Sequence, residues 1–232
     1  MKPIILGDGL LGTELRKQTG WDFISRKSHG FDFSTDIEYY FNIIRYNEYD
    51  VVINCIANTD TYGGDEQEHL SINAGRVLDL VNFCNEEKIK LVHISTDYLY
   101  TNSRTDGKES DVEVLPLDTF YGHSKKIGDM YASTLSNDSL VIRTSFKKTP
   151  FQYPTAVPQV GNFDYVDVIS KLIIQLIEKD AKGVFNVGTE RKNMLSLAHR
   201  TNPFVILGEP NNPKMPKDVS MDISKMKEFL LL

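Results

Sequence analysis

Cysteine, tryptophan and long apolar runs are all scarce in this 232-residue chain, and each scarcity excludes something. With only two cysteines, Cys55 and Cys84, both in apolar stretches, no disulfide framework can be built, and the pattern points to a reducing, cytoplasmic compartment. No apolar run reaches the ~18 residues needed to cross a bilayer. Met1-Lys2-Pro3 leads straight into a short strand-like segment, without the apolar stretch and cleavage site of a signal peptide. Excess positive charge is missing too: a formal net charge of −6 offers no footprint for nucleic acid or an anionic membrane. There is no Gly-x-Ser-x-Gly elbow and no P-loop lysine. His29, His69, His93, His123 and His199 lack metal-ligand spacing and read as structural or surface residues. What remains is an ordinary globular composition, long enough for one domain with a sizeable core, built around a small molecule.

Short β-branched runs alternate with helical patterns through the first two-thirds. Pro3-Ile4-Ile5-Leu6 reads as a buried strand, and Leu10 to Gln18 as a helix stopped by Gly20. Trp21 to Ser25, Val51 to Ile53, Leu91 to Ile94 and Leu140 to Ile142 read as further strands. Thr35 to Tyr46, Leu70 to Glu86 and Tyr121 to Ser133 read as helices, the second with Leu70, Val77, Leu80, Val81 and Cys84 on one apolar stripe. This β-α-β-α order predicts an α/β fold, a Rossmann-type doubly wound parallel sheet with right-handed crossovers. Pro150, Pro154 and Pro158 then exclude a long helix or central strand from 147–162. Tyr165 to Lys179 is a helix, Gly183 to Val187 a short strand, and Ile223 to Leu231 a last helix. The expectation is a single domain over 1–232, with 144–164 and 189–232 forming a reduced C-terminal substrate lobe.

Three clusters carry chemistry. Gly7-Asp8-Gly9-Leu10-Leu11-Gly12 fits G-x-G-x-x-G at a strand-to-helix turn, where free N–H groups and the helix dipole favour a pyrophosphate. The second strand ends in Ser25-Arg26-Lys27-Ser28, with no acid before Asp32. Arg26 and Lys27 can receive a ribose 2′-phosphate, although a solvated basic turn explains Lys27 nearly as well and Arg26 somewhat less so. Asp32 and Phe33 either flank an adenine or lead into the next helix. Tyr121 and Lys125 stand at i and i+4 on one helix face. A cation near a phenol favours the phenolate and readies Tyr121 as a general acid to a carbonyl oxygen receiving a hydride. Ser95-Thr96-Asp97-Tyr98 closes the fourth strand, where an open parallel sheet binds its ligands.

With these residues assembled, the chain resembles the extended short-chain dehydrogenase/reductases, and within them the dTDP-4-dehydrorhamnose reductase family. The glycine loop, Asn54 to Ala57, Asn73-Ala74, Ser95 to Tyr98, Tyr121 to Lys125 and Arg143 to Phe146 carry the likeness. Tyr165 to Val168, Gly183 to Gly188 and Asp218 to Lys225 extend it. The resemblance implies a catalytic set of Thr96, Tyr121 and Lys125, with Lys125 also on the nicotinamide ribose. It implies a cofactor site at Gly7, Gly9, Leu10, Leu11, Gly12, Arg26, Lys27, Asp32, Phe33 and Ala57, and a sugar pocket at Asp97, Tyr98 and Phe146. The implied reaction is NADPH-dependent (or NADH-dependent) reduction of a 4-keto-6-deoxy sugar nucleotide in nucleotide-sugar metabolism, by a chain compatible with a homodimer. Epimerisation or dehydration on the same fold, or a cofactor-binding regulatory subunit without turnover, are the alternatives. Three features depart from the family: a glycine loop one residue short, a short loop carrying Gly63-Gly64, and only 21 residues between Arg143 and Tyr165.

Overall fold

The structure is a computed structural model that describes residues 1–101, 106–113 and 117–232. In chain order its Rossmann half runs β1 (Pro3–Leu6), α1 (Leu10–Thr19), β2 (Asp22–Ile24), α2 (Arg26–His29), α3 (Ile37–Tyr46), β3 (Val51–Asn54) and α4 (Glu66–Leu70). It continues with α5 (Arg76–Glu87), β4 (Lys90–Thr96), α6 (Phe120–Thr134) and β5 (Ser139–Thr144). Four two-residue strands follow: β6 (Phe146–Lys147), β7 (Thr155–Ala156), β8 (Val160–Gly161) and β9 (Asp164–Tyr165). The chain closes with α7 (Val166–Glu178), β10 (Gly183–Asn186), β11 (Lys192–Asn193), α8 (Met194–His199), β12 (Ile206–Leu207) and α9 (Ser224–Leu230). Among the described residues, no helix is long and apolar enough to cross a membrane.

Six strands form one parallel sheet in the order β10-β5-β4-β3-β1-β2, as the sequence pattern predicts for a doubly wound fold. Side chains alternate between its faces. Ile5, Ile53, Val92, Leu140 and Ile142 enter a core under α1, α7 and α9, while Ile4, Leu6, Val52, Leu91 and Val141 enter a second core under α3 and α5. Strands buried on both faces need continuous apolar runs, and each such Ile or Leu contributes about 1.5–3 kcal/mol by leaving water. Because β1 pairs with both β2 and β3, the strand order reverses between β1 and β3, and a crevice opens beyond their C-terminal ends.

The helix predicted from Leu70 to Glu86 is interrupted. Ser71–Gly75 form a π-helical turn between α4 and α5, which shifts the helical phase. Leu70 therefore faces solvent, off the stripe made by Val77, Leu80, Val81 and Cys84, and His69 takes the buried place. The basic turn after β2 is also more ordered than predicted: the Ser25 side chain accepts a hydrogen bond from Ser28 N, and the single helical turn α2 ends at Gly30 in the left-handed region. In the C-terminal segments Phe151, Ala156, Phe163, Tyr165, Met194, Leu197, Ala198 and Val205 form a third, smaller core. Beside it Asp164 is buried, accepting bonds from Arg200 Nη1 and the Thr189 hydroxyl, with Lys192 close by.

Candidate active site

The glycine turn between β1 and α1 has a distinct job for each glycine. Gly7 has φ +98°, which other residues rarely adopt, and a side chain on Gly12 would overlap the Gly7 carbonyl oxygen. Gly9 faces open space, and as the N-cap of α1 it offers no side-chain acceptor to the first-turn amides. A cavity of about 430 Å³ lies over this turn, lined by Gly7, Gly9, Arg26, Asp32, Phe33 and Ala57 among others. Six of the predicted cofactor residues thus share one cavity. Leu10 lies on the rim of a neighbouring cavity, Leu11 and Gly12 are buried beneath the turn, and Lys27 is exposed outside the lining. Asp32, reached around the α2 turn, pairs with Arg26 at 2.9 Å. Bonds from Ser34 and Arg26 hold the Asp32 carboxyl down at about 2.

The second cluster gathers on the C-terminal end of β4. The Thr119 side chain caps α6 by accepting from Gly122 N, which sets Tyr121 on the first turn, facing the strand. The Thr96 hydroxyl reaches the Tyr121 phenol, and Lys125 Nζ donates to the Ile94 carbonyl at 2.8 Å. Both helix residues are nearly inaccessible to solvent, Tyr121 at 9% and Lys125 at 2%. Behind them Asn73, in the π turn, is zipped to the backbone of Asn58 and donates to the Ser124 hydroxyl. Gly128 packs so tightly on the Asn73 carbonyl that any side chain there would overlap it. The π turn is thus the buttress of α6.

Electrostatics differ from the expectation for the Tyr121–Lys125 pair. Burial pushes the Tyr121 phenol up to about 12, opposed by the Thr96 hydroxyl and reinforced by Asp97 and Tyr98. Lys125 is drawn down to about 8 by burial, with Asp129 and Cys55 favouring its charge. The ammonium is committed to a carbonyl of β4, so the groups that act on the Tyr121 phenol are Thr96, Asp97 and Tyr98. Burial sets the direction of both shifts.

Asp97 and Tyr98 follow Thr96 in a single 3₁₀ turn, Asp97–Tyr100. Asp97 is buried, and its Oδ2 has no partner among the described residues. Burial pushes its carboxyl up to about 7, against the favourable charge of Lys147 and bonds to Thr96 and Ser145. Ser145 and Lys147 flank Phe146, and in an extended segment alternate residues face opposite ways. Phe146 accordingly packs against the main core, while its two neighbours act on Asp97. Sequence reasoning missed Ser145 and Lys147, although a lysine three residues past a buried strand was a usable signal. It also missed Tyr62, whose Oη lies 2.8 Å from that of Tyr98, and Gln159, whose Nε2 reaches Tyr98 Oη at 3.4 Å.

The comparisons with known proteins agree with this geometry. Residues 1–147 match the model of the RmlD substrate binding domain. A probable low-salt glycan biosynthesis reductase of Haloferax volcanii is 34% identical over 116 residues, which are 48% of this chain and 38% of that protein. A dTDP-4-dehydrorhamnose reductase of Mycobacterium tuberculosis is 30% identical over 154 residues, 61% of this chain and 48% of the other. The chain thus spans half or less of the length of these curated relatives. Among solved structures, a hypothetical dTDP-4-dehydrorhamnose reductase from Sulfolobus tokodaii superposes with a TM-score of 0.81 at 26% identity, covering 98% of this chain and 94% of that one. The Bacillus anthracis dTDP-4-dehydrorhamnose reductase, solved with NADP, shares the fold at a TM-score of 0.78 and 21% identity, covering 100% and 98% of the two chains. With its family model matched from the glycine turn through the strand that follows α6, this chain belongs to the RmlD substrate-binding domain family.

Proposed function

We propose that this chain is an NADPH-dependent reductase of a 4-keto-6-deoxy sugar nucleotide. The observation that carries the reading is the convergence of Thr96, Tyr121 and Lys125 on the end of β4, beside the glycine-turn cavity. The residues of that cavity fit a dinucleotide: Gly9 leaves room for a phosphate to approach the backbone, and the first-turn amides of α1 are uncapped by any side chain. Gly7, Gly9, Leu10, Leu11 and Gly12 would hold the pyrophosphate, Phe33 and Ala57 would border the adenosine side, and Lys125 would hold the nicotinamide ribose. Arg26 would take a 2′-phosphate by leaving Asp32, and NADH lacks that phosphate. When bound, the reduced nicotinamide supplies a hydride to the keto carbon.

The chain's own residues handle the oxygen. Thr96 would donate a hydrogen bond to it, and Tyr121, kept neutral by burial, would deliver its proton as the alkoxide forms. Asp97 and Tyr98 would face the sugar, with residues 144–164 and 189–232 serving as the substrate lobe. The names of the relatives support this reaction class, and the NADP in the Bacillus anthracis neighbour supports the cofactor. The test is NADPH oxidation followed by absorbance with a panel of 4-keto nucleotide sugars. Turnover with a dTDP-linked 4-keto-6-deoxyhexose is expected. Tight cofactor binding without turnover on any member would sink the reductase reading in favour of a binding subunit.

A further inference from the structure

Two phenols and an amide meet beside Tyr121 in a way that the catalytic set does not require. Tyr62 comes from the short loop after β3, Tyr98 from the end of β4, and Gln159 from the residue just before β8. The loop that carries Tyr62 is held in shape. Gly63 N donates to Asp60, the Gly63 carbonyl meets the His69 ring, and Gly64 has φ +82°. Gln159 is buried and is fixed from behind, its Nε2 also donating to the Pro216 carbonyl at 3.0 Å. The rings stack edge-on in sequence: Tyr62 to Tyr98 at 6.4 Å, Tyr98 to Tyr121 at 6.1 Å.

A phenol can both donate and accept a hydrogen bond at its one oxygen. Gln159 Nε2 is only a donor, so Tyr98 must accept from it. The Tyr98 hydroxyl is thereby held between the Tyr62 hydroxyl and the Gln159 amide. We propose that Tyr62 and Gln159 are positioning residues that hold the Tyr98 phenol in place for a hydrogen bond with the sugar of the bound substrate, next to the carbon that Tyr121 serves. The inference rests on the reductase reading for the identity of the sugar. It adds to that reading a specificity device shared by the Rossmann half and the C-terminal segments.

The experiment is calorimetric titration of the NADP⁺-saturated protein with a dTDP-linked 6-deoxyhexose, and with dTDP as the control that lacks the sugar. Tyr62→Phe removes one hydroxyl and keeps the ring, so an unchanged melting temperature is expected. Affinity for the sugar nucleotide should fall about 3- to 10-fold, the worth of one neutral hydrogen bond, with dTDP affinity unchanged. In a Tyr98→Phe background the same substitution should cost nothing further, because it acts through Tyr98. Equal losses for both ligands, additive losses in the double variant, or no loss at all would each overturn the positioning role. If the wild type binds neither ligand, the inference falls together with the functional reading, and that outcome is distinct from a wild type that binds while Tyr62→Phe binds equally well.

Discussion

Tyr121 and Asp97 are neighbours, and burial favours the neutral form of both. A phenol pushed up to about 12 is a neutral proton donor throughout the physiological range. Tyr121→Phe keeps the ring packing and removes only that proton, so turnover should fall by ~10²–10⁴-fold with the cofactor dissociation constant nearly unchanged. Single-turnover rates and a cofactor titration on the same variant check both halves of the statement; wild-type turnover would remove Tyr121 from the reaction. Asp97 makes a prediction about stability. Its carboxyl sits at about 7 in the folded protein, against ~3.9 for an unperturbed side chain. Between these values the folded state binds more protons than the unfolded one, so this group's contribution to stability declines as pH rises from about 4 to about 7 and is flat above. Asp97→Asn cannot ionise. Its melting temperature relative to wild type should therefore be higher at pH 8 than at pH 4.5, and an equal difference at both pH values would contradict the raised carboxyl.

Elements bring their own constraint, and the π turn at Ser71–Gly75 shows it best. Asn73 projects from this turn to hold both the Asn58 backbone and Ser124 of α6, while Gly128 allows α6 to lie directly on the Asn73 carbonyl. The position of Tyr121 on β4 thus depends on a glycine two turns further along the same helix. Gly128→Ala improves intrinsic helix propensity by about 1 kcal/mol. The clash with a backbone carbonyl cannot be relieved by a side-chain rotation, and overpacking of this kind typically costs ~1–3 kcal/mol or more. The net effect expected is destabilisation, read as a lower denaturation midpoint in urea, together with a loss of turnover larger than the loss of cofactor affinity. A variant more stable than wild type would show that α6 does not rest on the π turn.

For the whole molecule, the small C-terminal core is a body of apolar contact separate from the two cores of the parallel sheet, and Asp164 ties together the segments around it. This carboxylate accepts bonds from Arg200, Thr189 and the Tyr165 amide, and Lys192 lies 3.3 Å away. Removing Asp164 leaves the buried Tyr165 amide and Thr189 hydroxyl without their acceptor, at about 1–3 kcal/mol, while the half-exposed Arg200 is rehydrated. Asp164→Ala should accordingly loosen residues 144–164 and 189–207 while the Rossmann half stays folded. Hydrogen exchange would show lost protection confined to those segments, and cofactor binding should survive where sugar-nucleotide binding does not. Uniform loss of protection across the sheet would mean that the two bodies unfold as one.

The sequence by itself determined the parallel sheet, because strands buried on both faces must be apolar at every position, and runs such as Val51 to Ile53 and Leu140 to Ile142 leave no alternative. It determined the glycine turn and the Tyr121–Lys125 face for the same reason: local backbone geometry and helical spacing are short-range properties. Contacts between distant segments were decided only by the tertiary structure. Asp32 closes on Arg26 because α2 folds back as one tight turn; Ser25 and Gly30 are the residues that cap such a turn, but four residues are too few to show helical periodicity. Tyr62, Gln159, Ser145 and Lys147 join the candidate site from loops and two-residue strands that have no periodicity to read. The ionisation of Tyr121 and Lys125 followed the same rule. Spacing put them on one face, but the cost of burying charge, which depends on everything packed around them, set the phenol high and the ammonium low.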